Sequence, residues 1–249
     1  MCEMNLGQNV TLESLPSKGR TYPEDLEIFV KPLSIKEQMD MSRFGITEAE
    51  YFRVLLNGIT CVSESNFPKK SLYLHDVQFL DLVRRLFTFD VEQEIQVPNV
   101  VCGECGKEFT GKFMFHELEF TDFTDESFNQ EYEFSDGLKI KAEPITIGRF
   151  MEAGRKYFSS KKFDVADIYL GYLSLCVSEV VDREFKNVEA MQDFLYEYFG
   201  NLYMAKDKKV LGELEKNSVS LVKPFKLTCP NCGEIVEVVV DPTTQFRQE

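Results

Sequence analysis

The sequence predicts an α+β fold in which one strand–helices–hairpin unit occurs twice. Three short segments recur in the same order along the 249 residues: LEIFVKPLSI at 26–35 with LKIKAEPITI at 138–147, CVSE at 61–64 and again at 176–179, and Cys-x-x-Cys-Gly at 102–106 and again at 229–233. The offset between the copies grows from 112 to 115 to 127 positions, as an insertion after each segment would cause. Ordered self-similarity is the signature of repeated units, so we predict a tandem duplication.

Each unit is predicted to open with a half-buried strand that leads into a helix. Residues 26–30 and 138–142 alternate apolar and polar side chains, the period of a strand with one buried face. A proline, which cannot donate to a strand ladder, follows each run. Ser34 and Glu37 form a capping-box pattern at the start of the next helix, and Thr146 is the N-cap candidate in the second copy.

Apolar periodicity predicts the helices that follow. In the first copy, Thr47 and Glu50 open a helix with one apolar face, made by Tyr51, Leu55, Leu56 and Ile59. The matching apolar helix of the second copy ends at Cys176. Later helices are predicted over 77–87 and 188–202, and a charged helix over 205–217 has no counterpart in the first copy. Each unit then closes with a hairpin, its strands marked by 97–101 and 113–115, or by 225–227 and 235–240.

These elements divide the chain into four parts. We expect an N-terminal segment (1–24), a first repeat (25–120), a linker (121–136) and a second repeat (137–249). The linker is acidic and rich in Phe, which suits a connecting segment. Its aromatic side chains either pack against the parent domain or dock on a partner.

The two Cys-x-x-Cys-Gly motifs predict one structural zinc ion per chain. Each motif turns the backbone so that two thiolates converge, and the glycine relieves crowding after the second one. Structural zinc takes four ligands in a tetrahedron, so Cys102 and Cys105 supply one half of the site and Cys229 and Cys232 the other. Four thiolates leave no open position for water. The predicted result is a zinc-ribbon-like site that joins the two units and plays no catalytic part.

Other interpretations of the cysteines remain open. A rubredoxin-like iron site uses the same four thiolates. A redox Cys-x-x-Cys needs a strand before it and a helix after it, whereas strand-like residues lie on both sides here. Cys61 and Cys176 fall on faces predicted to be helical and apolar, which favours small buried hydrophobic residues.

Charge and composition favour protein partners over nucleic acid or membrane. The formal net charge is -14 and the isoelectric point about 4.8, so the clustered cations that displace counterions from phosphates are scarce. Anionic membrane surfaces repel such a chain. We see no apolar signal-peptide core and no run of about 20 apolar residues, so we expect a reducing cytosol.

The sequence predicts a protein that is not an enzyme and takes no small-molecule substrate. Only two histidines occur, and neither His75 nor His116 lies in a recognisable catalytic motif. Phosphate-binding, dinucleotide-binding and zinc-protease motifs do not occur. The many carboxylates include no pair that sequence alone can single out as acid and base.

Two segments carry a resemblance to a known family. The opening LPSKGRTYP at 15–23, followed by the strand at 26–30 and Pro32-Leu33, resembles the T-even bacteriophage baseplate hub assembly protein family. The ending from Cys229-Pro230-Asn231-Cys232-Gly233 through Asp241-Pro242 and Phe246-Arg247 is similar to the terminal zinc hairpin of that family.

The resemblance implies a protein that binds baseplate hub or tail proteins in the host cytoplasm, without covalent chemistry and with no catalytic residues to carry over. It is then an assembly factor, which can be absent from the mature virion. The alternatives are a permanent baseplate component, a zinc-ribbon transcription or regulatory factor, and an uncharacterised enzyme.

Overall fold

The first half of the chain builds a three-stranded antiparallel sheet, two connecting helices, a longer helix and a hairpin. A computed structural model describes residues 7–43, 46–89, 94–114, 117–128, 130–158, 165–202, 204–215 and 223–238. The first sheet has the order β1-β2-β3: β1 Gln8–Val10, β2 Glu27–Val30 and β3 Ile59–Val62. The remaining elements are α1 Ile35–Met41, α2 Glu48–Asn57, α3 Leu74–Phe89, and the hairpin of β4 Glu94–Val101 with β5 Glu108–Met114.

The second half has the same kinds of element in the same order, with one helix added. Its sheet has the order β6-β7-β8: β6 Gln130–Glu133, β7 Lys139–Ala142 and β8 Val177–Val180. The helices are α4 Ile147–Phe158, α5 Val165–Cys176, α6 Val188–Gly200 and the added α7 Met204–Glu215. The closing hairpin pairs β9 Phe225–Thr228 with β10 Ile235–Val238. The α+β prediction is confirmed.

Local capping determines where the connecting helices begin. The Ser34 hydroxyl accepts from the Glu37 amide and the Glu37 carboxylate accepts from the Ser34 amide, and Thr47 with Glu50 repeats this reciprocal pair at α2. The Thr146 hydroxyl accepts from the backbone amide three residues later, at the start of α4. These caps satisfy amides that no helical carbonyl can reach. Among the described helices, none has both the length and the apolar character that crossing a bilayer requires.

The two halves share one hydrophobic core. A continuous cluster of buried side chains runs from the first sheet through α2 and α3 into α4, α5 and α6. Phe52 on α2 packs edge-on against Phe150 on α4, with ring centroids 5.4 Å apart. The Leu74 amide also donates to the Ile145 carbonyl at 2.7 Å. The halves are therefore joined by packing and backbone hydrogen bonds, independently of any metal.

The predicted helix containing Cys61 is wrong in its last turn. Gly58 ends α2, and Ile59 and Cys61 belong to the strand β3, which pairs with β2. Residues 59–62 (Ile-Thr-Cys-Val) are rich in β-branched side chains, which prefer a pleated surface. Cys176 does end a helix, as predicted, but Val177 begins the matching strand β8.

Two short strands lie in segments for which we predicted no strand. Gln8–Val10 of the N-terminal segment form β1, and Gln130–Glu133 of the expected linker form β6. In the same acidic segment Phe123 and Phe134 are buried, so these aromatic side chains pack against the parent core. We did not predict these strands because each is a short edge strand of three or four residues that depends on pairing with another strand. The four-part division of the chain stays a prediction.

Candidate metal centre

The two cysteine motifs fold into the same knuckle at the tips of the two hairpins. In the first knuckle the Cys102 amide donates to the Lys107 carbonyl at 3.0 Å, and the Gly106 amide donates back to the Cys102 carbonyl at 2.9 Å. In the second knuckle, Cys229 exchanges the equivalent bonds with residues 234 and 233, at 2.8 and 2.9 Å. Identical hydrogen-bond patterns place the two sulfur atoms of each motif in the same relation to their hairpin.

Each knuckle depends on a glycine in the left-handed region of backbone conformation. Gly106 has φ 65° and Gly233 has φ 79°. A side chain at such a φ places Cβ against the backbone, whereas glycine adopts it freely. A Cβ added to either glycine would meet no other heavy atom within 4 Å, so the requirement is conformational and not one of space.

The four sulfur atoms form a cluster with tetrahedral dimensions. The Sγ atoms of Cys102 and Cys232 are 3.6 Å apart, those of Cys105 and Cys229 are 3.8 Å apart, and all four lie within 4.8 Å of one another. Thiolates about 2.3 Å from a tetrahedral zinc ion have S···S edges of about 3.8 Å. A disulfide, with sulfurs about 2.05 Å apart, does not fit these separations. The geometry is that of a possible four-thiolate metal site, and it crosses the two hairpins.

The two thiols of the second knuckle are shifted in opposite directions. Burial of Cys229 opposes ionisation, but hydrogen bonds from the Asn231 and Cys232 backbone amides and from the Cys232 and Cys105 thiols lower the pKa of the Cys229 thiol to about 6. A backbone hydrogen bond at Glu234 lowers the pKa of Cys232, but burial and hydrogen bonds with the other three thiols outweigh it and raise that pKa to about 12.

Of the described cysteines, Cys61 and Cys176 lie outside the cluster. Burial raises the pKa of Cys61 to about 11 and that of Cys176 to about 12, so both remain neutral thiols.

A small hydrophobic cluster lies beneath the site and holds the hairpins together. The Phe113 and Phe225 rings, one from each hairpin, have centroids 4.4 Å apart. Leu227 of β9 lies directly over Gly111 of β5, and Leu82 of α3 closes the cluster from below. A glycine within a strand signals a close approach by another part of the chain, so Gly111 is a sequence signal that we did not use.

The remaining sequence candidates lie away from the sulfur cluster or outside the described residues. His75 is buried at the start of α3, with its ring edge-on to Phe123 at 4.8 Å. His116 and Cys2 lie outside the described residues. Each cysteine motif lies between two antiparallel strands, with no helix directly after it, which is unlike the arrangement of a thioredoxin motif.

The fold and the site together define a mixed helix-and-sheet protein whose two terminal hairpins meet at four cysteines. Residues 8–246 match the family described as T4 bacteriophage base plate protein. The match covers nearly the whole chain, and the protein belongs to that family. This confirms the resemblance drawn from the opening and ending segments. No curated protein and no solved structure matches the chain.

Proposed function

We propose that this protein is a non-enzymatic assembly factor for the central hub of the phage baseplate. It acts by binding hub or tail proteins in the host cytoplasm and leaves before the particle is complete. The observation that carries the proposal is the family match over residues 8–246. Within the family, the chain resembles the baseplate hub assembly catalyst, an accessory protein in hub construction, although a hub-associated sister protein has the same opening.

The proposed metal is one structural zinc ion, held by Cys102, Cys105, Cys229 and Cys232. The S···S separations of 3.6 and 3.8 Å support a tetrahedral ion, and four thiolates fill all its positions. The ion then supplies a cross-link between the hairpins and no chemistry at an open site. Iron in the same four-thiolate site is the competing assignment.

A tandem duplication accounts for the way each half supplies two ligands. Both halves place a three-stranded sheet first and a cysteine hairpin last. The Lys31 amide bonds the Gly58 carbonyl in the first half, and the Glu143 amide bonds the Cys176 carbonyl in the second, both at 2.9 Å. The shared order, ladder and knuckle support descent from one unit.

The contacts of Asp76, a carboxylate with a strongly raised pKa, support a structural role and not a catalytic one. Burial raises the pKa of Asp76 to about 6, against hydrogen bonds that lower it. The Asp76 carboxylate accepts from the Ser17 amide at 2.9 Å and from the Tyr22 hydroxyl at 2.6 Å. Both partners belong to the N-terminal segment 15–23. The carboxylate therefore anchors that segment to α3.

The proposed partner-binding regions are the added helix α7 and the acidic segment 121–136. The added helix α7 buries Leu211 and Leu214 and leaves Lys206, Lys208 and Lys209 exposed. Deleting α7 would open the core, so charge reversal of the three lysines is the better probe of contact. The acidic segment 121–136 also contributes buried side chains, and its exposed carboxylates are the groups to neutralise there.

The test is a tagged pull-down from infected cells at moderate salt, with finished particles analysed alongside. Co-purification of hub or tail proteins, together with absence of the chain from finished particles, is the expected result. Presence of the chain in finished particles would instead make it a permanent component of the baseplate. An eluate dominated by RNA polymerase or nucleic acid would favour a zinc-ribbon regulator and contradict the proposal.

A further inference from the structure

Backbone groups just before and at the start of α4, in the second half, are hydrogen-bonded by residues of the first half. Leu72 and Leu74, the latter being the first residue of α3, bond the segment that leads into α4 on either side of an isolated antiparallel bridge between Tyr73 and Thr146. The Leu74 amide donates to the Ile145 carbonyl at 2.7 Å, and the Ile147 amide donates to the Leu72 carbonyl at 2.8 Å. Ile147, the first residue of α4, is 0% exposed as a result.

In the first half, the residues that the structure describes leave the corresponding site without an occupant. An offset of 112 positions places Leu33 and Ile35 where the second half has Ile145 and Ile147. Among the described residues, no group bonds the Leu33 carbonyl or the Ile35 amide. The side chain of Ile35 is 78% exposed, and that of Met39, one turn further along α1, is 70% exposed. These are the most exposed of the large hydrophobic side chains that the structure describes.

A groove continues this exposed face. It has a volume of about 490 Å³ and is lined mainly by apolar atoms, between the end of β2 and the last turns of α3. Pro32 and the half-exposed Phe87 form its walls, and Gly7 and Gln8 form its end. Lys31 and Pro32 of the groove directly precede the open backbone pair in the chain, and we call residues 31–39 with Phe87 the α1 slot.

The charge of the α1 slot differs from that of its filled counterpart. Lys31 stands where the second half has Glu143, and Lys36 stands where it has Gly148. Among the described residues neither lysine forms an ion pair, whereas Glu37 is neutralised by Arg84 at 2.7 Å. In the counterpart, Glu143 is paired with Arg149. Because Lys31 and Lys36 have no such partner among the described residues, they favour acidic residues in an occupant of the α1 slot.

We propose that the α1 slot binds an extended segment of another baseplate protein, in which apolar residues are flanked by Asp or Glu. The segment adds to the Leu33–Ile35 backbone as Leu72–Leu74 add to residues 145–147, and its apolar side chains cover Ile35 and Met39. Main-chain hydrogen bonds give such strand addition its affinity, and side-chain pockets give it specificity. The inference rests on the proposed function only for the identity of the partner.

The test uses two synthetic peptides and the full-length, zinc-loaded protein. One peptide has the native sequence of residues 68–76 (PKKSLYLHD), and the other carries aspartate at both lysine positions. Fluorescence anisotropy measures their binding to the wild type, to Ile35→Glu and to the matched control Val188→Glu. Val188 is also an exposed first residue of a helix, α6, so both substitutions place a carboxylate at a helix N-terminus, where the dipole favours it.

The acidic peptide is expected to bind saturably and more tightly than the native one. Ile35→Glu should weaken that binding at least tenfold, Lys36→Glu should weaken it and reduce its salt dependence, and Val188→Glu should leave it unchanged. Circular dichroism and thermal melting check that the variants fold alike. Absence of saturable binding, tighter binding of the native peptide, or an equal effect of Val188→Glu would overturn the inference.

Sedimentation of the protein without peptide tests whether a second copy of this chain occupies the α1 slot. A dimer that Ile35→Glu abolishes would make a second copy of this chain the occupant and contradict the assignment to another protein. Because the peptide assay contains no other baseplate protein, its failure would contradict only the binding role of the α1 slot. The hub pull-down tests the assembly role separately.

Discussion

Arg84 occupies the space that a side chain at Gly58 would need. A Cβ at Gly58 would overlap the guanidinium, which is 1% exposed. The guanidinium donates from Nε to the Lys31 carbonyl at 2.7 Å and from Nη2 to the Glu37 carboxylate at 2.7 Å. The buried guanidinium thus connects the end of α2, the end of β2 and the start of α1. These contacts hold the backbone of the α1 slot in place.

Gly58→Ala should destabilise the protein. Since three hydrogen bonds fix the guanidinium, it cannot move aside without losing them, and overpacking of this kind costs about 1–3 kcal/mol. The matched control is Gly212→Ala in α7, where no atom lies within 4 Å of the added Cβ and the change should stabilise the helix by about 0.5–1 kcal/mol. Urea unfolding measures both. Equal effects of the two changes would contradict the role given to Arg84.

Removing one candidate ligand should abolish metal binding. Cys105→Ser leaves three thiolates and breaks the cross-link, so we expect loss of zinc and a lower melting temperature. Cys61→Ser is the control, because Cys61 lies in β3, outside the sulfur cluster. Elemental analysis of the purified proteins gives the stoichiometry and distinguishes zinc from iron. Full zinc retention in Cys105→Ser would remove the four-thiolate assignment.

The knuckle glycines should control metal affinity through backbone strain. Gly106→Ala forces a Cβ into the left-handed region at φ 65°, a cost of about 1–2 kcal/mol and thus roughly tenfold in affinity. Gly103→Ala, in the same knuckle, has no positive φ and no atom within 4 Å of its Cβ. Competition with a chromophoric chelator compares the two. The prediction fails if Gly103→Ala weakens zinc binding as much as Gly106→Ala does.

The close approach of Leu227 to Gly111 should couple the two hairpins energetically. Gly111→Ala pushes a Cβ into the Leu227 side chain and should cost about 1–3 kcal/mol. Leu227→Ala removes buried contacts and should cost about 2–5 kcal/mol. Because the smaller side chain makes room for the added methyl group, the double variant should be less destabilised than the sum. Unfolding measured with and without a chelator separates the contribution of this packing from that of the metal. Strict additivity of the two unfolding free-energy changes would contradict the contact.

The buried Asp76 should make stability depend on pH. Its pKa is about 6 in the folded protein and near 3.8 in the unfolded chain, so the folded state holds the proton more tightly. The resulting stabilisation is fully present below pH 3.8 and is lost as pH rises through 6, on the order of 3 kcal/mol at most. Asp76→Asn has no such titration. Chemical unfolding from about pH 4 to 7 should show a steeper fall with pH in the wild type than in the variant; parallel curves would contradict the assignment.

The elements that sequence predicted best are those with strong local signals. The capping boxes at Ser34 and Thr47 mark helix starts, and the alternating run before Pro32 marks β2. The four cysteines could be assigned together because zinc chemistry requires four ligands and each motif supplies two. The family resemblance came from nine residues of the opening and the terminal hairpin, and the match over 8–246 supports it.

The elements that were missed depend on contacts distant in sequence. β1 and β6 exist because β2 and β7 offer them an edge, and no periodicity within three or four residues reveals that. The last turn of the predicted α2 became β3, because Ile59 pairs with Val30. Arg84 is a charged residue in a helix, which by pattern belongs on the surface; its burial follows from backbone carbonyls that only the folded chain brings together.

The spacing of the two knuckles has a mechanical consequence. Cys105 and Cys229 lie 124 positions apart, so an ion bound to both closes a loop that contains most of the second half. If the proposed ion is bound, a force applied through residues outside this loop crosses the metal–thiolate bonds and bypasses the intervening chain. About 400 Å of extensible polypeptide then stays out of the force path until those bonds break. A single-molecule pulling experiment should show that length released only when the ion is lost and the shared core has also unfolded.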